Sequence, residues 1–174
     1  CTAPATRRLI FAWKNDGGGG GNPSGTVDNI SLVSSVLSPA PSAGPFTIDN
    51  TLPNAGTNFS SFTNAINWLS TAIGCANNPI IFNVAAGQTF AETPPAITVS
   101  GTSANPIIFQ KSGVGANPVV TSVGGTGAVD AAISINGGDY ITFDGIDVSI
   151  ASGSALEYGY QIRNASATSS ANFN

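Results

Sequence analysis

Residues 137–150 read GGDYITFDGIDVSI and carry the pattern that decides the fold. Apolar residues alternate with polar ones over Ile141–Phe143 and, one residue out of phase, over Ile146–Ile150. A period of two is typical of a β-strand with one buried face. The phase changes at Asp144–Gly145, a pair favoured at turns. The stretch therefore predicts a strand over 140–150 that is interrupted at this pair.

Short apolar runs of the same kind recur between Gly, Pro, Asn and Ser residues. They predict strands at 79–84, 96–100, 106–110, 118–123, 131–135 and 158–163. The segments AITVSGTSANPIIFQ and AAISINGGDYITFDG each hold a strand, a Gly-containing turn and a second strand. Such repeats are typical of a β-solenoid, in which each strand pairs in parallel with its counterpart one turn away. We therefore expect residue ladders at 107/141, 109/143 and 135/162.

Residues 60–74 predict the one helix of the chain. Their apolar positions fall on one stripe of a helix: Phe62, Ala65, Ile66, Leu69 and Ile73. Ser60 or Ser61 is the expected N-cap and Gly74 the expected C-cap, with Trp68 at the flank of the stripe. Short strands at this spacing also fit a β-sandwich. An amphipathic helix before the first strand favours the solenoid, whose exposed core end needs a cap.

The first 45 residues differ from the rest in composition and in the pattern of apolar residues. Residues 1–36 hold two apolar runs around the glycines at 17–21, and a hairpin of two strands cannot bury a face alone. They are interpreted as closing strands of a sandwich module. Residues 37–45 have three prolines and no alternation, which is typical of a linker. The predicted second unit spans 46–174.

The composition excludes several classes of function. Charged residues make up 8% of the chain, the net charge is -4 and histidine is absent. Without a basic patch, neither nucleic acid nor an anionic membrane is an expected partner. Without imidazole, no Ser-His-Asp triad or histidine zinc site can form. A low-charge, hydroxyl-rich chain is usual for secreted all-β proteins, and there Cys1 and Cys75 could form a disulfide. An unpaired or buried Cys75 is the alternative.

The acidic residues are the candidates for catalysis or metal binding. A lyase needs a carboxylate cluster for calcium with a basic residue nearby, and a hydrolase needs paired carboxylates. The candidates are Asp130, Asp139, Asp144, Asp147 and Glu157, with Lys111 and Arg163 as bases. Asp144, Asp147 and Arg163 form the candidate catalytic set. Asp28, Asp144 and Asp147 are the calcium candidates.

A structural interpretation of these acids is favoured over a catalytic one. Asp-Gly pairs are favoured in turns, and Asp139, which follows two glycines, is suited to an Asx-turn. Outward acids keep a β-rich surface soluble, and Arg163 is expected to pair with an acid on the neighbouring turn of the solenoid. Exposed aromatic residues could stack on sugars. The candidates are Trp13, Tyr140, Tyr158 and Tyr160, for which a core position is favoured.

Several segments make a family recognisable. The run FTIDNTLPNAGTNFSSFTNAINWLSTAIGCANNPIIFNVAAGQTF, followed by INGGDYITFDGIDVS and GYQIRNASATSS, resembles the start of right-handed parallel β-helix regions of pectin-lyase-like fold in large surface proteins of Bacteroidetes. LIFAWKNDGGGGGNPSGTVDNISLV resembles the last strands of the jelly-roll modules in the same proteins. The resemblance implies export by type IX secretion, attachment at the cell surface or release, and roles in adhesion, gliding or polysaccharide handling.

The predicted function is that of a structural and adhesive segment of a secreted surface protein or filament. It would contact polysaccharide or a cell surface through an extended β-helix face, with no required cofactor beyond possible calcium. One alternative is a polysaccharide lyase or glycoside hydrolase with its active site on later turns of the β-helix. A second is a polymer-forming subunit in which 1–36 adds strands to another subunit. Other domains of the same protein, or further copies, are the remaining expected partners.

Overall fold

A computed structural model describes residues 44–72, 78–123 and 130–166 of the chain. All of them belong to one unit, Ser38–Asn174. The predicted strands in 1–36 and most of the linker lie outside the described residues. The predictions for the following residues, which also lie outside the described ones, stay predictions: Cys1, Trp13, Asp28, Ile73, Gly74 and Cys75.

The described chain is mostly β-strand, with one helix. Its elements in chain order are β1 (Phe46–Ile48), β2 (Asn58–Phe59), α1 (Phe62–Ala72), β3 (Ile80–Ala85), β4 (Thr89–Ala91), β5 (Ile107–Ser112), β6 (Val119–Ser122), β7 (Ala131–Asn136), β8 (Ile141–Asp144), β9 (Asp147–Ile150) and β10 (Tyr158–Arg163). One strand prediction needs correction, because residues 96–100 give only a single bridge, from Ile97 to Ile135. The run 140–150 divides into β8 and β9 at the predicted Asp144–Gly145 interruption.

The strands form three parallel sheets. Sheet I has the order β2-β1-β3-β5-β8, sheet II has β4-β6-β9, and sheet III joins β7 to β10, with Ile97 bridged to β7. From β3 onward the chain passes through sheets I, II and III in the same order three times. We call these passes the first layer (β3, β4, Ile97), the second layer (β5, β6, β7) and the third layer (β8, β9, β10). Parallel pairing between all of these strands is the pattern expected of a solenoid, and a sandwich with antiparallel sheets does not fit the described residues.

The register of the sheets confirms the three predicted ladders. Ile107 pairs with Ile141 and Phe109 with Phe143 in sheet I, and Ile135 pairs with Ile162 in sheet III. These pairs bring like side chains together because parallel strands in register stack each residue over its counterpart. The layers therefore repeat one another in sequence as well as in backbone.

A phenylalanine stack runs through the core along sheet I. Phe46, Phe82, Phe109 and Phe143 occupy equal positions on β1, β3, β5 and β8, with successive ring centroids 5.6, 4.6 and 4.7 Å apart. The last two contacts are close to parallel, at 13° and 4°. Rings at this separation add attraction beyond the area they bury. The stack thus links four successive strands of one sheet.

Helix α1 follows the predicted stripe. Phe62, Ala65, Ile66 and Leu69 are buried, as their spacing predicts. The N-cap is Ser61, whose hydroxyl oxygen accepts a hydrogen bond from the Asn64 amide at 3.0 Å. A serine oxygen in this position satisfies one of the backbone donors that the first turn leaves free.

The aromatic side chains of α1 attach it to the first strands. Phe62 meets the ring of Phe90 edge-on at 5.1 Å. Trp68 lies 4.5 Å from Phe46 and 5.5 Å from Phe59, between ring centroids, which agrees with its predicted place at the flank of the stripe. The helix therefore covers apolar side chains that β1, β2 and β4 would otherwise leave in water.

Candidate functional site

Asp144 and Asp147 flank the corner at which the chain leaves sheet I for sheet II. Gly145 has a φ of 64° there, a left-handed conformation that glycine adopts without strain. Both carboxylates are exposed, as the strand phase predicts. The Asn117 side-chain amide donates to Asp147 Oδ1 at 3.0 Å, so this acid is part of a corner that spans two layers.

Arg163 lies on a different sheet from both acids. It belongs to β10 of sheet III and pairs in register with Asn136. Its register neighbour is therefore an amide, and the predicted pairing of Arg163 with an acid stays a prediction. Asp144 ends β8 in sheet I and Asp147 begins β9 in sheet II, so the three candidate catalytic residues are distributed over three sheets. No single sheet surface of the described chain presents all three of them.

The other candidate acids occupy separate environments. Asp130 is 4% exposed, and its backbone carbonyl accepts the Tyr158 amide at 3.0 Å. The Asp139 amide donates to Ser100 Oγ at 3.1 Å, and the Asp139 backbone carbonyl accepts the Gly101 amide at 2.8 Å. Glu157 is exposed. Within 44–72, 78–123 and 130–166, no three Asp, Glu, Cys or His side chains form a group that could hold a metal ion. Calcium binding stays a prediction.

Two of the candidate aromatic residues lie at the surface of the third layer. Tyr158 is 47% exposed and Tyr160 40% exposed, so the predicted core position is wrong for both. The Tyr160 hydroxyl donates to the Ile146 carbonyl oxygen at 2.8 Å, and its ring meets Phe143 edge-on at 5.3 Å. Burial of the hydroxyl, with the nearby negative charge of Asp147, raises the pKa of Tyr160 to about 12. Tyr160 is thus held in its neutral form beside the end of the phenylalanine stack.

Polar side chains form rows on the outward faces of the sheets. On sheet I, Asn83, Gln110 and Asp144 stand in register on β3, β5 and β8, and Gln110 Nε2 donates to Asn83 Oδ1 at 2.9 Å. On sheet II, the hydroxyls of Thr121 and Ser149 are 2.7 Å apart. These rows carry amides and hydroxyls with a single charge among the five side chains.

Sequence reasoning missed the residue that fixes the helix to the sheets. The two carboxylate oxygens of Glu92 accept the backbone amides of Phe62 and Thr63, both at 2.8 Å, and Glu92 Oε2 also accepts the Thr63 hydroxyl. A carboxylate at a helix N-terminus is stabilised by the free N–H groups and by the helix dipole. Glu92 follows β4 by one residue, some thirty positions from its partners, so no local pattern could have indicated the contact.

A second missed network holds the loop after β1. Asp49 Oδ1 accepts the amide and hydroxyl of Thr51 and the Gln88 side-chain amide, the last at 2.6 Å. These hydrogen bonds, those of Thr51 first, hold the pKa of Asp49 below its ordinary value of 3.8. Next to this network and the Glu92 carboxylate lies an open depression of about 330 Å³ between α1 and β4. Thr63 and Glu92, which line this depression, are engaged in the hydrogen bonds that fix the helix.

Comparisons with known proteins do not assign this chain to a family. No protein family model, curated protein or solved structure matches this chain. The one helix among the described residues is too short to cross a lipid bilayer.

Proposed function

We propose that this chain is part of a right-handed parallel β-helix in a secreted bacterial surface protein, where it serves as a structural and adhesive element. The observation that carries the proposal is the threefold passage through three parallel sheets, with like residues at equal register positions. In a parallel β-helix each turn rests on the one before, which produces a long, stiff body from a repeated sequence. A stiff body suits a protein that holds a contact surface away from the cell.

The chemistry of the outer faces supports polysaccharide or another neutral, hydroxylated surface as the contacted partner. The amide row of Asn83 and Gln110 and the hydroxyl row of Thr121 and Ser149 offer both donors and acceptors. Strands in a sheet stand roughly 4.8 Å apart, so such rows repeat at a fixed spacing along the sheet. A repeating polymer can form the same contact on each strand. In the Bacteroidetes surface proteins that the sequence resembles, adhesion and polysaccharide handling are the corresponding roles.

The enzyme alternative has less support within the described residues. A lyase or hydrolase needs its acids and base around one substrate bond. Asp144, Asp147 and Arg163 belong to three different sheets, which does not favour that arrangement.

Affinity electrophoresis through gels that contain neutral or uronate polysaccharides tests the proposal. We expect at least one neutral polysaccharide to slow migration of the wild-type chain. The double variant Asn83→Ala, Gln110→Ala should migrate at the unretarded rate, because it removes the amide row without changing charge. Asn67→Ala is the matched control, since Asn67 is an exposed amide on α1 and lies outside the row.

Two results would contradict the proposal: no retardation by any polysaccharide, or equal retardation of the double variant and the wild type. Thermal unfolding of each variant establishes that the fold is kept. Assays of the same mixtures for new reducing ends and for unsaturated uronates would detect hydrolase or lyase activity, and a positive result would favour the enzyme alternative.

A further inference from the structure

Two strands of the described chain end in an Asn-Gly or Asp-Gly pair. Asn136 is the last residue of β7, and Gly137 follows it with a φ of 76°. Asp144 is the last residue of β8, and Gly145 follows it with a φ of 64°. Both glycines adopt a left-handed conformation where a strand ends. A third pair of this kind, Asp16–Gly17, lies outside the described residues.

Pairs of this kind share a spontaneous backbone reaction. The amide nitrogen of the following residue attacks the side-chain carbonyl carbon, Cγ, and a five-membered succinimide ring forms. Asn loses ammonia in this step and Asp loses water, and the proton of the backbone nitrogen leaves with them. Water then reopens the ring. Cleavage of the Cγ–N bond gives aspartate, and cleavage of the other carbonyl–N bond gives isoaspartate. Glycine speeds the attack because it has no Cβ that would shield the nitrogen.

The two glycine amides differ in their hydrogen bonds. The Gly137 amide donates to the Arg163 carbonyl oxygen at 2.7 Å, which ties it to β10. Its nitrogen can attack only after this bond opens, so the pairing of sheet III protects Asn136. Gly145 follows β8, and none of the backbone hydrogen bonds found in the described chain uses its amide. The nitrogen next to Asp144 therefore has no such protection.

The fold also requires glycine at the unprotected position. A Cβ on Gly145 would come within 3.1 Å of Lys111 Cβ, and the positive φ would strain any other residue. The Asp144 side chain is exposed, so water reaches it. The corner between sheets I and II thus keeps the residue that makes its neighbour reactive.

We propose that Asp144–Gly145 is a site of self-modification, at which Asp144 in the folded chain converts to isoaspartate, and that sheet III protects Asn136 from the same chemistry. Isoaspartate routes the backbone through Cγ and so adds one methylene group to it. Asp144 pairs in register with Gln110 at the end of β8. The added length therefore enters the chain between β8 of sheet I and β9 of sheet II.

Incubation of the full chain in neutral buffer, followed by peptide mapping, tests the proposal. Electron-transfer fragmentation distinguishes isoaspartate from aspartate and separates Asp144 from Asp16. We expect isoaspartate to accumulate at Asp144 in the folded wild type, while Asn136 stays an amide. In urea, Asn136 should react at least about tenfold faster than in the folded chain, because its reaction no longer waits for sheet III to open. Asn136 should then react faster than Asp144, whose ionised carboxylate is the poorer electrophile.

Two variants separate the reaction from a general effect of the corner. Asp144→Glu should abolish it, because glutamate would need a less favourable six-membered ring, and the charge is kept. Asp147→Glu is the matched control, since Asp147 is an exposed acid of the same corner that is followed by Val148. Isoaspartate at Asp144 should form in this control as in the wild type.

Three results would overturn the proposal. The first is an unmodified Asp144 in the folded chain over a period in which the unfolded chain reacts there. The second is reaction of Asn136 in the folded chain as fast as that of Asp144. The third is a loss of isoaspartate at Asp144 in the Asp147→Glu variant.

Discussion

The first and third layers are built on the same plan, yet their surroundings differ. Phe82, in the first layer, is fully buried between Phe46 and Phe109 and touches Trp68 of the helix. Phe143 occupies the equal position in the third layer, stacks on Phe109 alone within sheet I and has Tyr160 at its edge. From this difference we expect the stabilisation by a ring of the stack to depend on what lies on both sides of its layer.

The largest expected loss of stability comes from removing one ring of the phenylalanine stack, and we compare two positions. Phe109→Ala removes a ring with stacked neighbours on both sides and should lower the free energy of unfolding by about 3–5 kcal/mol. Phe143→Ala should cost clearly less, because that ring is half-buried and has one stacked neighbour. Urea denaturation of both variants measures the difference. Equal losses would mean that the third layer is as well covered as the second.

Removal of the carboxylate that fixes the helix should have the next largest effect. Glu92→Ala leaves the amides of Phe62 and Thr63 without their acceptor and should cost about 1–3 kcal/mol. Glu157→Ala is the matched control, since this exposed acid precedes β10 and its loss should change stability by less than about 0.5 kcal/mol. Urea denaturation gives both values, and hydrogen exchange should show faster opening of α1 in the first variant alone. If both variants lose the same free energy of unfolding, the hydrogen bonds from Phe62 and Thr63 to Glu92 are not what holds the helix.

Tyr160 should make the free energy of unfolding depend on pH in the alkaline range. Its pKa is raised from 10.0 to about 12 by burial and by Asp147, so the folded chain keeps a proton that the unfolded chain loses. The resulting stability is complete below pH 10 and is lost as the pH rises toward 12. Absorbance titration of phenolate should show one tyrosine that ionises later than the others. Tyr160→Phe should remove that late step, and Asp147→Asn should shift it to lower pH.

Asp49, in the loop next to α1, should make the free energy of unfolding depend on pH in the acidic range. The effect should be smaller than that of Tyr160. Its pKa is lowered by hydrogen bonds from Thr51 and Gln88, so its contribution to stability is present above pH 3.8 and is lost as the pH falls through the lower folded value. The effect is small because the carboxylate is largely exposed to solvent. Carboxylate titration by NMR should give a pKa below 3.8 for Asp49. Gln88→Ala should raise it toward the ordinary value, and an unchanged pKa in that variant would contradict the assignment.

Much of the fold was predictable because its strongest signals are local. Alternation located most strands, the 3.6-residue stripe located α1, and equal positions in the repeats predicted the ladders at 107/141, 109/143 and 135/162. The errors have physical causes. At 96–100 the alternation is present, but only Ile97 comes near enough to β7 to bridge. The strands β1, β2 and β4 were missed because two or three residues are too few to show a period.

Less of the candidate site was predictable, because it depends on which residues the layers bring together. Strand phase predicted correctly that Asp144 and Asp147 face solvent. It could not predict that they and Arg163 belong to different sheets, because that depends on where the chain turns. The exposure of Tyr158 and Tyr160 was also missed, since a residue of a ladder is buried only when another layer covers it.

The sequence by itself determined the strand periods, the amphipathic helix, the low charge of the surface and the pairing of like residues between repeats. Each of these depends on neighbours in the chain or on a repeat of the same pattern, so one-dimensional information is sufficient. Only the tertiary structure decided that Glu92 holds the N-terminus of α1, that the candidate acids are spread over three sheets, and that Tyr158 and Tyr160 lie at the surface. These features depend on contacts between residues distant in sequence, whose geometry exists only once the layers have stacked.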